Sequence, residues 1–127
     1  MKIMKITKWK NPVNNDAYPI FQQWYKTLDW ILTTVEKYPK NTRFIMASRI
    51  SNLALDAMET IIEAVYTKKR AALLARLNMI LEKLRVFFRI SHGRRYISHS
   101  QYEYISGAID ITGRMAGGWL KKVGPHG

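Results

Sequence analysis

The residues best placed to do chemistry in this 127-residue chain are cations. Lys69, Arg76 and Lys83 recur every seven residues, so on a helix they share one line. Arg85 and Arg89 stand one turn apart on a neighbouring line, and Arg94-Arg95 extend the positive run. Such a row can meet successive phosphates of a polyanion, with arginine giving bidentate contacts. The chain holds 21 Lys+Arg against 9 Asp+Glu, a net charge of +12. The imbalance is sided: nine bases and six acids up to Tyr66, then twelve bases and three acids (Glu82, Glu103, Asp110) from Thr67 on. Generic solubility does not ask for one sign of charge in one half. A field of this kind favours nucleic acid, ahead of an anionic membrane or an acidic protein. Pairing of arginine with the nearby Glu82, or a merely solvated face, is the competing reading, but so few acids leave most of these bases uncompensated. The expected nucleic-acid contacts are therefore Arg76, Lys83, Arg85, Arg89, Arg94 and Arg95.

Other chemistry finds little support. His99 has Glu103 four residues on, but His92 and His126 have no His or Glu at helical metal-pair spacing, and a di-iron bundle would need Glu-x-x-His motifs. There is no phosphate-binding glycine loop before a Lys, and no Gly-x-Ser-x-Gly elbow. Asp56, Glu59 and Glu63 share a helix face and read as a solvated one. No cysteine is present, so disulfide and thiolate chemistry are excluded. No catalytic residue, metal or cofactor is expected, and no enzyme. His92 and His99 flank Arg94-Arg95; they read as loop decoration, with pH-dependent positive charge as the alternative. Nothing resembles base-specific readout, so binding is expected to be backbone-driven, sequence-tolerant and salt-sensitive.

The elements that must position these cations are helical. Residues 1–15 form a basic arm, 16–123 a four-helix bundle and 124–127 a tail. The arm lacks the apolar run of a signal peptide, and no stretch is apolar enough to span a membrane; a cytoplasmic protein is expected. Asp16 is read as the N-cap of a first helix with Pro19 in its first turn. Phe21, Trp24, Leu28, Ile31, Val35 and Tyr38 form its apolar stripe, and Pro39 ends it. A second helix opens at Asn41 or Thr42, burying Phe44, Ala47, Ile50, Ala54, Ala57, Met58, Ile61 and Val65. Thr67 reads as a break and a new N-cap, although Lys68-Lys69-Arg70 sits unfavourably at a helix N-terminus. The third helix carries Leu73, Leu74, Leu77, Ile80, Leu81, Leu84 and Phe88. Val86 and Phe87 widen its apolar arc, which hints at a subunit interface. Gly93 marks its end. Ser98 to Gln101 fits a capping box opening a fourth helix, whose stripe is Ile105, Ile109, Thr112, Ala116 and Trp119. Lys121 and Lys122 suit its last turn, and Gly124-Pro125 stops it. The expectation is an all-α, antiparallel up-down four-helix bundle that assembles as a ring-like homo-oligomer.

The run Gly113-Arg114-Met115-Ala116-Gly117-Gly118-Trp119-Leu120-Lys121 is unusual, since glycine costs about 1 kcal/mol inside a helix. Gly113 and Gly117 lie on one face, where bare backbone admits a close neighbour, with Gly118 beside them and Trp119 filling the adjoining space. These four residues are expected to serve packing, within the bundle or between subunits.

With these residues in view, the chain resembles the accessory variability determinants of diversity-generating retroelements. They lie within the broader four-helix-bundle group that includes proteins encoded by ribosomal-RNA intervening sequences. The resemblance runs from about Phe21 to Lys122. It is carried by Tyr38-Pro39-Lys40 with Arg43-Phe44, Ala64-Val65-Tyr66, Leu81-x-x-Leu84-Arg85-x-x-x-Arg89, Ile97-Ser98-x-x-Gln101-Tyr102-Glu103 and, most specifically, the glycine-rich run at 113–121. It implies a homopentamer around a central channel. It also implies a basic surface that binds RNA and DNA, and association with the element's reverse transcriptase in mutagenic retrohoming. Arg85 and Arg89 match the family's third-helix arginines; Arg76, Lys83, Arg94 and Arg95 rest on charge alone. The competing functions are a protein-protein scaffold whose charge only steers encounter, and an intervening-sequence-type protein acting near ribosomal RNA. A membrane-surface role fits least, because the apolar stripes are needed for the core.

Overall fold

The computed structural model describes residues 18–123, and all regular structure within them is helical. We number four α-helices in chain order: α1 (Pro19–Val35), α2 (Ser48–Tyr66), α3 (Ala71–Gly93) and α4 (His99–Val123). A 3-10 turn (Lys40–Thr42) and a π turn (Arg43–Ala47) lead into α2. Each helix packs on the next and α4 packs back on α1, so the four close a helical bundle. Connections of four and five residues between the later helices force antiparallel neighbours.

Helical periodicity places the core. Trp24 and Ile31 from α1, Ile50, Ala54 and Ile61 from α2, Leu74, Leu77, Leu81 and Leu84 from α3, and Ile105 and Ile109 from α4 are fully buried in one cluster. The Trp24 indole also needs a partner for its N–H, and donates to Ala54 O at 3.0 Å. Four buried hydroxyls are satisfied inside their own helices. Thr27, Thr60, Ser91 and Thr112 each donate to the carbonyl four residues back, at 2.8–2.9 Å. This is how polar residues enter an aliphatic core without leaving a donor unpaired.

Several local expectations need correction. Tyr18, not Asp16, is the residue before α1; Asp16, the arm and Gly124-Pro125 lie outside the described residues. Helix α1 ends at Val35, four residues before Pro39, although Tyr38 beyond it is buried. Phe44 is not in the core: it is 91% exposed. The Ser48 backbone N–H reaches back five residues to Arg43 O, so a stripe drawn at α-helical spacing does not extend through the π turn. Thr67 does not cap α3; it is extended, and α3 begins at Ala71 after Arg70. Lys69 therefore lies off the helix.

The Lys68-Lys69-Arg70 puzzle has a local answer. Arg70 Nε donates to Ala64 O at 2.7 Å and Nη2 to Val65 O at 3.3 Å. Its cation thus stands on the negative end of α2 and satisfies carbonyls left open there. At the other end, α3 stops at Gly93 as expected, but the left-handed residue of its cap lies two positions further on. Arg95 takes a left-handed φ of 64°, its N–H reaches His92 O at 3.0 Å, and Tyr96 N–H reaches Ser91 O at 2.8 Å. These are the two bonds of a Schellman cap, with arginine where glycine is usual. The capping box of α4 forms as expected. Ser98 N–H donates to Gln101 Oε1 at 2.7 Å, and Gln101 N–H to Ser98 Oγ at 3.1 Å.

Replacing Ser98 by Ala removes one of these caps and should cost about 1 kcal/mol in denaturant unfolding. Tyr38 gives a second test. Its hydroxyl is buried without a hydrogen bond, and the neighbouring Ser91 hydroxyl gives its own proton to Phe87 O. Burial raises its pKa from the ordinary 10.0, with Ser91 opposing and Tyr96 reinforcing the rise. A raised folded-state pKa favours folding below the unfolded value and is lost as pH climbs past it. Tyr38→Phe should therefore keep or modestly raise stability at neutral pH, and it should lessen the fall in stability above pH 10.0 seen in alkaline denaturant titrations.

Candidate nucleic-acid interface

The third helix presents its cations on two flanks rather than one track. At 3.6 residues per turn, Arg76 and Lys83 lie roughly 120° to 180° around the axis from Arg85 and Arg89. All are exposed or half-exposed. Arg85 and Arg89 line a shallow cleft between α3 and α4 with Glu82, Tyr102, Ser106 and Asp110. The strip between the two flanks is apolar: Ala72, Ala75, Met79, Val86 and Ile90 face outward, with Met79 57% exposed.

Arg85 is a correction to the expected track. Its Nη1 lies 2.9 Å from Glu82 Oε1 and its Nε 3.2 Å from Asp110 Oδ1. The two carboxylates more than offset its charge and fix its guanidinium against α4. Glu82 could be foreseen at i−3; Asp110 is 25 residues away and could not. In contrast, Arg76, Lys83 and Arg89 have no carboxylate within ion-pair distance among the described residues, and neither have Arg94 and Arg95. Arg94 lies over the Tyr96 ring at 5.7 Å, and its Nε donates to Tyr96 Oη at 2.9 Å. Next to this turn, His92 stacks on Tyr102 (4.6 Å between centroids) and contacts His99 (5.4 Å), which pairs with Glu103.

The glycines divide. A Cβ at Gly113 would stand 3.2 Å from Arg85 Nη2 and 3.9 Å from Leu81 Cδ1, so this glycine makes room for the buttressed guanidinium, not for a helix backbone. Above Gly117 and Gly118 nothing lies within 4 Å among the described residues, so neither makes room for another of the four helices. Trp119 is half-buried, 5.9 Å from the Tyr18 ring, with the Arg70 guanidinium 5.1 Å above it. Trp119 thus secures the end of the bundle where α1 begins and α4 finishes.

Sequence reasoning missed Arg114, exposed beside Arg85 and Asp110 in a second cleft with Asn78 and Gly113. It also missed the cations around the entry to α2: Lys37, Lys40, Arg43 and Arg49 are all exposed. The absence of any acid between Glu36 and Asp56 was the available signal.

Arg95 offers a direct check on whether this charge is kept at a structural cost. Arg95→Gly relieves the left-handed strain and should raise stability by about 0.5–1 kcal/mol in urea unfolding. A loss of stability would show that the arginine side chain supports the cap.

A family model described as bAvd-like matches residues 19–123. No curated protein and no solved structure matches the chain. Residues 19–123 take in all four helices, every motif on which the resemblance rests and the cations of both α3 flanks. The chain belongs to the bAvd-like family, in agreement with its resemblance to the accessory variability determinants.

Proposed function

We propose that this protein is a non-enzymatic, cytoplasmic accessory of a retroelement's reverse transcriptase, holding template RNA and the DNA copied from it beside the polymerase. One observation carries the reading. On a chain of net charge +12, Arg85 is the only lysine or arginine paired with a carboxylate among the described residues. Exposed, unpaired cations displace the condensed counterions of a phosphate backbone, and so bind it without reading bases. Arg89, Arg94 and Arg95 form one such group and Arg76 with Lys83 another. Arg85, neutralised by Glu82 and Asp110, contributes less than its place in the family motif suggests. The polymerase supplies the chemistry, and the accessory supplies position.

The family resemblance favours a homopentameric ring, and two features of the subunit support self-association. The outer side of α3 carries the uncovered apolar strip centred on Met79, Val86 and Ile90. Gly117 and Gly118 leave bare backbone with no neighbour within 4 Å among the described residues. Several copies around one channel would add their positive potentials and raise the local concentration of bound nucleic acid.

Alanine variants test the assignment at fixed ionic strength. Arg89→Ala, Arg94→Ala and Arg95→Ala should each weaken RNA binding roughly threefold to tenfold with the fold intact. Arg85→Ala should weaken it less. Equal affinity for all four variants and the parent would remove this surface from the binding face. Light scattering on the parent protein should give a mass several times that of one chain. A monomer would reject the ring.

A further inference from the structure

We propose that the end of the bundle carrying the α1–α2 and α3–α4 connections is a platform for an unpaired stretch of RNA or DNA, with Phe44 stacking under a base. Phe44 is 91% exposed and the adjacent Ile45 75% exposed, an unusual placement for large apolar side chains on a chain with a filled core. Both sit on the π turn, a rare backbone form found disproportionately at functional sites. Their surroundings select the partner. From Lys37 to Leu55 the chain has four cations (Lys37, Lys40, Arg43, Arg49) and no acid. The second connection adds Arg94 and Arg95, and the two connections are joined in space. Arg43 Nε donates to Tyr38 O at 3.3 Å, the Tyr38 ring lies 5.2 Å from that of Tyr96, and Tyr96 carries Arg94. The acids at this end are Glu36 and Glu103, two against these six cations, and Glu103 Oε2 lies 3.4 Å from His99 Nε2.

An apolar protein partner would have to bring its greasy surface into this concentration of positive charge. A second copy docking through this same face would set these cations against their own kind. A single strand satisfies both halves of the surface. Every unpaired base offers a π-face to an aromatic ring, and the flanking phosphates meet Lys40, Arg43, Arg94 and Arg95. A duplex hides its base faces and can use only the cations. The platform thus adds a preference for unpaired strands to the phosphate-led binding proposed above, and it rests on that reading.

The test compares the full-length parent protein, Phe44→Ala and Phe44→Trp. Each is titrated at one salt concentration with an unstructured oligonucleotide and with a blunt duplex of equal length, and each is sized by light scattering. We expect Phe44→Ala to lose about 5-fold to 100-fold in single-strand affinity, the worth of one stacked base. Duplex affinity and subunit count should stay unchanged, and Phe44→Trp should restore single-strand binding. Unchanged single-strand affinity in Phe44→Ala overturns the platform while leaving phosphate-led binding intact. An equal loss on both ligands overturns it too. A change in subunit count overturns it by making Phe44 a contact between copies. Failure of the parent protein to bind either ligand defeats the underlying nucleic-acid reading itself.

Discussion

Four apolar stripes close on one axis, and the rest of the molecule follows from that burial. Trp24, Ile50, Ile61, Leu77, Leu81 and Ile105 meet at the centre with no solvent exposure. A chain of net charge +12 gains no cohesion from its surface, where like charges repel. The core must therefore carry stability, and among the described residues it expels every Lys, Arg, Asp, Glu and His side chain from its interior. With 9 acids for 21 bases, most cations end there without a partner. The positive surface is thus a direct result of packing these helices with this composition.

The cations nonetheless do different work. Arg70 caps the carboxyl end of α2, and Arg85 is held between Glu82 on its own helix and Asp110 on the next. Those two are committed to the fold. Arg95 lies at the opposite extreme: its backbone adopts a conformation that favours glycine, and its side chain is fully outside. Arg89, Arg76 and Lys83 resemble it in being free of carboxylates among the described residues. Separating the committed cations from the free ones is what turns a high net charge into a located surface.

Much of this was legible in the chain itself. Stripes at spacings of three and four gave all four helices, because helix burial follows a 3.6-residue period that sequence displays directly. The Ser98–Gln101 box was legible for the same reason: its two bonds join residues three apart. What failed was whatever depended on a break in the period or on a distant partner. Phe44 fits the α2 stripe on paper, but the π turn breaks the period ahead of Ala47. Gly93 does end α3, but the left-handed position of the cap falls to Arg95, which no glycine announces. The Arg85–Asp110 pair spans two helices, so no local pattern announces it. Gly117 and Gly118 stand out in the sequence, but the surface they leave open lies away from the core of the described residues.

On the proposed function, free cations rather than specific base contacts would hold nucleic acid on this protein. The most direct measurement is the affinity of the unmodified protein for one RNA across a series of salt concentrations. If phosphates are neutralised by these side chains, the logarithm of the binding constant should fall linearly with the logarithm of salt, with a slope of several units. A flat profile would contradict the claim, however tight the binding.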